Sequence, residues 1–210
     1  TKEEGGEVIL KDGQPSGILV DAPMQLVRNV IPPLTRQQQV DALLDAQKIV
    51  FANGLTTISD AGLNRDQIEL IDSLQQAGLL KIRLYAMVSN NPDDVGYFLK
   101  KGIVKTPYLH VRSVKVYADG ALGSRGACLH EAYSDQPGHF GAMITTQEQL
   151  MELAEQIAQS DYQMNTHAIG DSANTAVLKA YKKVLADKPG RRWRVEHAQV
   201  IRPEDFSYFS

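Results

Sequence analysis

Two short stretches, "NTHAIGD" (residues 165–171) and "WRVEHAQ" (residues 193–199), each end a strand-like run on a histidine, about one strand–helix repeat apart. Neutral imidazole is the commonest metal ligand, so two of them at successive strand ends are suited to sharing one divalent ion. They read equally well as two hydrogen-bonded structural residues. Lys115, in "SVKVYADG", occupies a similar place in an earlier strand-like run. Pointing outward it would snorkel; pointing into a core it would be a buried amine obliged to lose or mask its charge. Asp171 reads as the cap of the helix that follows, and Asp119-Gly120 as a turn. Glu196 is expected to point away from His197 by strand alternation and to pair with an arginine.

Such residues act together only if the chain delivers them to one place. The opening stretch, "GGEVILKDGQPSGILVD", holds two short apolar runs separated by Asp12-Gly13 and Pro15, which is hairpin punctuation. "TRQQQVDALLDAQKIVFANG" then has Val40, Leu43, Leu44, Ile49 and Val50 near helical period, with Thr35 as N-cap and Gly54 as stop. "LTTISDAG" predicts a strand ending at Ser59-Asp60, "RDQIELIDSLQQAGLL" a helix and "KIRLYAMVS" a strand. "NPDDVGYFLKKG" is a short helix and "VRSVKVYADG" a strand. A helix capped by Thr145 or Thr146 follows, then the strand "YQMNTHAIGD", the helix "SANTAVLKAYKKVLADK" and the strand "RWRVEHAQV". Strands alternating with helices imply right-handed crossovers and a parallel sheet, whose reactive groups gather at the carboxyl ends of the strands.

The rhythm breaks once. Residues 120–143, "GALGSRGACLHEAYSDQPGHFGAM", are 24 residues rich in Gly and polar side chains without helical period. Loops this long in compact domains are commonly functional. Arg125 and His139 in this loop are candidates for part of a substrate wall. "GALGSRG" could cradle a phosphate, although it lacks the Lys-Ser/Thr pair of a P-loop. Cys128 reads as a small packed residue rather than a nucleophile.

The totals narrow the function. A net charge of −3 argues against nucleic acid or an anionic membrane as partner, and no apolar run is long enough to span a bilayer. The single cysteine excludes a disulfide framework and a Cys-rich zinc site, so any metal must rest on His, carboxylate or a less usual ligand. Without a signal-peptide pattern, a cytoplasmic location is expected. Thr1 in place of Met and the ending "EDFSYFS" both read as cuts through a longer protein.

Taken together, "VKVYADGALGSRGACLHEAYSDQPGHFG", "NTHAIGDSANTAVLKAY" and "RVEHAQVIRPEDF" resemble the central part of the metal-dependent amidohydrolase superfamily, in particular its third amidohydrolase family, the formamide-deformylase-like enzymes. "GQPSGILVDAPMQLV" and "ANGLTTISDAG" resemble the preceding part of the same proteins, so the likeness runs in order along essentially the whole chain. The resemblance implies α/β architecture: a partial TIM (β/α)8 barrel comprising strands two to six (residues 31–210), preceded by the end of an inserted hairpin segment (residues 1–30). It further implies one or two divalent ions, most simply zinc, with His167 ending the fifth strand and His197 the sixth as ligands. Lys115 matches the fourth-strand lysine that can react with CO2 to give a bridging carbamate, turning a buried cation into an anionic oxygen donor.

The departures are as informative. The family's His-any-His pair from the first strand is absent, and the eighth-strand aspartate that serves as catalytic base is expected beyond residue 210. The reading is therefore a piece of a hydrolase that cleaves amide-type C–N bonds in a small-molecule substrate, itself inactive. Its open strand edges should drive self-association or be covered by the hairpin. Two other readings stay open: a non-catalytic α/β binding domain indifferent to zinc, and a barrel that binds phosphate through "GALGSRG".

Overall fold

The structure is a computed structural model describing residues 2–3 and 6–209. In chain order its elements are β1 (Lys2–Glu3), β2 (Gly6–Lys11), β3 (Gln14–Asp21), α1 (Met24–Arg28), α2 (Arg36–Ala52), β4 (Thr57–Leu63), α3 (Arg65–Gln76) and β5 (Arg83–Ser89). There follow α4 (Pro92–Lys101), β6 (Val104–Lys105), β7 (Leu109–Tyr117), α5 (Gln147–Ala158), β8 (Gln163–Ala168), α6 (Asp171–Leu185), β9 (Arg194–His197) and a 3-10 helix, Pro203–Phe209. The expected alternation is present. Short α1, two-residue β6 and the 3-10 helix carry too few residues for a periodic signal, and sequence reasoning missed them. Among the described residues no helix is long and apolar enough to cross a membrane.

The chain divides into two compact units: a middle unit of Pro32–Lys115 with Ser160–Gln163, and an outer unit of Thr1–Ile31, Val116–Gln159 and Met164–Ser210. In the middle unit β4 runs parallel to β5, and β5 parallel to β7, with Ser89 at the end of β5 registered on Lys115. β4 continues past the expected stop at Asp60 to Leu63, because it keeps its pairing with β5 as far as Val88. Its core is apolar by pattern. Ile68, Leu70, Ile71 and Leu74 of α3 are buried, as are Val95 and Phe98 of α4 and Leu84, Ala86 and Val88 of β5. Each of these side chains other than that of Ala86 contributes roughly 1.5–3 kcal/mol on leaving water. Helix α2 is started by a full capping box between Thr35 and Gln38, yet it buries no residue.

In the outer unit β2 and β3 form the expected hairpin. Its turn residues Asp12 and Gly13 both have left-handed backbone (φ 52° and 78°), the geometry that a two-residue hairpin loop requires. β1 adds antiparallel to β2, completing a three-stranded sheet. β8 and β9 are parallel. Helix α6 buries Ala173, Val177, Leu178, Ala180 and Tyr181, and α5 buries Leu150, Ala154 and Ile157. Thr146, rather than Thr145, caps α5, accepting the Gln149 N–H. The connection over residues 120–143 has no helix. It is pinned to itself by Leu129 N–H to Phe140 O and Tyr133 N–H to His139 O, both 2.8 Å.

Candidate functional site

His167 is the penultimate residue of β8 and His197 ends β9. Their rings meet edge to face with centroids 4.6 Å apart. A regular ladder would not have done this. The register pairs His167 with Glu196 and Ala168 with His197, and in a regular pleat the residue beside Ala168 faces away from His167. The pleat ends at His197, however, where φ is 72°, and Ala198 follows at 45°. Left-handed backbone at two successive non-glycine residues is uncommon, and such strain gathers at functional sites. Here it turns the second imidazole toward the first. Glu196 forms the expected arginine pair, with Arg194 Nε at 2.8 Å.

The two imidazoles differ in surroundings. His167 has a side chain only 13% exposed and its Nε2 lies 3.1 Å from the Gly120 carbonyl and 3.6 Å from Asp119 Oδ1. Facing two oxygen acceptors, Nε2 carries the proton in the neutral ring, which leaves the lone pair on Nδ1. The Tyr117 ring lies 5.5 Å away. His197 is exposed.

Asp119 is the residue that sequence reasoning underrated. Read as turn chemistry, it is in fact 0% exposed. Its Oδ1 accepts the Ile169 N–H (3.0 Å), and its Oδ2 accepts the N–H groups of Gly170 and Cys128 (2.8 Å each). One carboxylate thus joins the end of β7, the long loop and the turn after β8. Burial pushes its carboxyl above the usual range, against the opposing pull of those three donors and His167. Only the acidic side chain before a glycine hinted at it, and the same pair marks countless turns.

Asp171, expected to cap α6, does not. Gly170 is the N-cap and makes no side-chain cap bond; Asp171 is the first helical residue, and its Oδ1 accepts the His130 N–H at 2.9 Å. No cap side chain fits at Gly170, where a Cβ would lie 2.0 Å from the Cys128 carbonyl oxygen. Cys128 is half-buried, and burial pushes its thiol up, the opposite of what a nucleophile needs. In "GALGSRG" the N–H groups of Gly120, Arg125 and Gly126, with that of the next residue Ala127, are bonded to carbonyls within the loop.

Arg125 and His139, the expected substrate wall, come together. His139 Nε2 lies 2.8 Å from the Arg125 carbonyl, and the Arg125 guanidinium grips Asp135 through Nε and Nη2 at 2.8–3.2 Å. Both residues line a cavity of about 200 Å³ whose other wall is the hairpin, including Asp21. Asp21 has φ 57° and feels both Asp119 and His167. Its burial, then the charge of Asp119, raises its carboxyl above the usual range, while His167 pulls the other way.

Lys115 is 4% exposed in β7, so the outward, snorkelling placement does not apply. It belongs to the middle unit and the two histidines to the outer one. The donor chemistry at the strand ends suits a metal in part. Two imidazoles converge, but among the described residues no three His, Cys, Asp or Glu side chains gather in a way that could hold an ion.

Comparison with known proteins supports the sequence resemblance. Residues 1–209 match the model of the amidohydrolase family, in its third branch. The Arabidopsis thaliana protein named LONG AFTER FAR-RED 3 is 29% identical over 98% of this chain, which spans 38% of that protein's length. An uncharacterized metal-dependent hydrolase from Pyrococcus horikoshii superposes with a TM-score of 0.75 at 26% identity, over 88% of this chain and 37% of that one. A second, from Pyrococcus furiosus, gives 0.76 at 24% identity, over 93% of this chain and 41% of that one. The chain therefore spans well under half the length of the relatives it matches.

Proposed function

We propose, on the premise that the chain belongs to the amidohydrolase family, that the whole protein is a metal-dependent hydrolase acting on amide-type, non-peptide C–N bonds of a small-molecule substrate. The observation that carries this reading is the convergence of His167 and His197 from adjacent parallel strands, at the cost of left-handed backbone at His197. On this reading β4, β5, β7, β8 and β9 correspond to strands two to six of a (β/α)8 barrel. His167 and His197 hold a divalent ion, most simply zinc. Lys115, assigned by resemblance and by its burial, would carry a carbamate, an anionic oxygen donor to such an ion, which intact-protein mass would reveal as one added CO2. When bound, such an ion lowers the pKa of a water toward neutrality and polarises the substrate carbonyl. Asp119 holds the His167 ring by facing its Nε2, and the 120–143 loop excludes water from one side.

The 210-residue chain by itself is expected to be inactive, because the family's His-any-His pair is absent from its sequence and no three His, Cys, Asp or Glu side chains gather to hold an ion among the described residues. It is also expected to self-associate. Leu34, Ile49 and Leu55 are 58%, 66% and 52% exposed around a helix that buries nothing. A monomeric elution volume on a sizing column at all concentrations would count against this.

The deciding experiment is a zinc titration by calorimetry on the chain and on its His167→Ala, His197→Ala double variant. Saturable binding of about one ion, lost in the double variant, is the expected result. Binding that survives the substitutions places the ion elsewhere and overturns the assignment, and so does the absence of binding by either protein.

A further inference from the structure

We propose that Asp21 determines substrate specificity: it is the charged wall of a small pocket that takes a positively charged substituent, an ammonium, amidinium or guanidinium group, carried by the substrate next to its scissile bond. This rests on the hydrolase reading for the word substrate; the pocket and its charge preference stand on their own geometry.

The pocket lies within the outer unit, between the hairpin and the long loop, and has a volume of about 200 Å³. That is smaller than the roughly 300–1,000 Å³ of sites that enclose a whole ligand, so it suits one substituent. Its walls are Glu7, Val20 and Asp21 from the hairpin, and Arg125, His139 and Phe140 from the loop. Phe140 offers an apolar face, 46% exposed, for the stem of such a group.

The charges are unequal once pairing is taken into account. The Arg125 guanidinium is committed to Asp135 by a two-pronged contact, and His139 to the Arg125 carbonyl. Glu7 and Asp21 remain as the charges facing the space. Among the described residues the Asp21 carboxylate has no hydrogen-bond or ion-pair partner. A partly buried carboxylate without donors is costly to keep, and most such groups in folded proteins are paired.

The loop makes room for it. A Cβ at Gly120 would lie 2.5 Å from Asp21 Oδ2, and one at Gly126 only 2.2 Å. The carboxylate is therefore seated against two glycines, one of which, Gly120, offers its carbonyl to His167. Left-handed backbone at Asp21 holds it there. Burial and the neighbouring Asp119 both disfavour its charge. An arriving cation relieves both effects, whereas an anion adds to them.

The test uses two flat probes of the same size and opposite charge, benzamidine and benzoate, on the 210-residue chain with a chelator present. Binding is followed by amide shifts in NMR spectra. Benzamidine is expected to shift the amides around Asp21, Gly126 and Phe140, and benzoate is not. Asp21→Asn should weaken benzamidine about tenfold or more, the loss of one charge-assisted contact. Equal affinity of the two probes, or shifts mapping away from the pocket, overturns the proposal without any variant. Unchanged benzamidine affinity in folded Asp21→Asn overturns it as well. The chelator separates the two readings: the zinc titration can fail while the probe result holds, and the reverse.

Discussion

The ends of β8 and β9 carry the same residue and are built in opposite ways. At the end of β8 the backbone stays regular, five of the six strand residues are buried, and His167 is wedged against a carbonyl and a buried carboxylate. At the end of β9 the strand has no fully buried residue, and His197 is exposed with left-handed backbone carried into Ala198. One imidazole is positioned by its surroundings, the other by a distortion of its own chain. The first arrangement belongs to the fold and resists change. The second is held in place at the expense of local stability.

The strongest way to break this contrast is at Asp119. Asp119→Ala leaves the N–H groups of Cys128, Ile169 and Gly170 without their acceptor, and should cost at least about 2 kcal/mol in urea unfolding. A change within about 0.5 kcal/mol would show that the β8 end is held by other contacts, and the contrast would fall.

A smaller effect is expected from pH. The folded-state carboxyl of Asp21 is raised, chiefly by burial and then by Asp119, so the folded protein holds this proton more tightly than the unfolded chain. Its contribution to stability is therefore greatest below the unfolded value of about 3.8–3.9 and is lost as pH rises through the folded pKa. Asp21→Asn should accordingly be at least as stable as the parent at neutral pH, with an advantage that shrinks as pH falls toward the unfolded value. Melting curves across the acidic range check this; a variant less stable at neutral pH contradicts it.

The smallest effect sharpens the comparison most. His197→Gly should leave stability unchanged or raise it by up to about 1 kcal/mol, because glycine accepts the left-handed backbone without penalty. The same substitution should abolish zinc binding. A marked loss of stability would mean that the His197 ring is a packing residue after all.

Much of this was legible in the residues. Local rules placed every long helix and each strand of the parallel ladders, because apolar period and caps such as Thr35 and Thr146 act within one or two turns. The hairpin followed from Asp12-Gly13, and the two histidines from their place after short apolar runs. The misreadings were of another kind. β4 outran its expected end because its neighbour β5 kept offering hydrogen bonds. Asp171 gave way as a cap because the Cys128 carbonyl sits against Gly170, leaving no room for a side chain there.

What the sequence by itself determined is the alternation of strands and helices, the membership of the amidohydrolase family and the pair of histidines at successive strand ends. Only the tertiary structure decided how those histidines meet and what stands around them. It converted Asp119 from a turn residue into the anchor of residues 128, 169 and 170. It set Asp21 of the hairpin against Gly120 and Gly126 of the loop, and it bent the chain at His197. The physical reason is range: periodicity and capping arise among residues within a turn of one another. The buried carboxylate, the crowded glycines and the strained strand end are imposed by partners dozens of residues away along the chain.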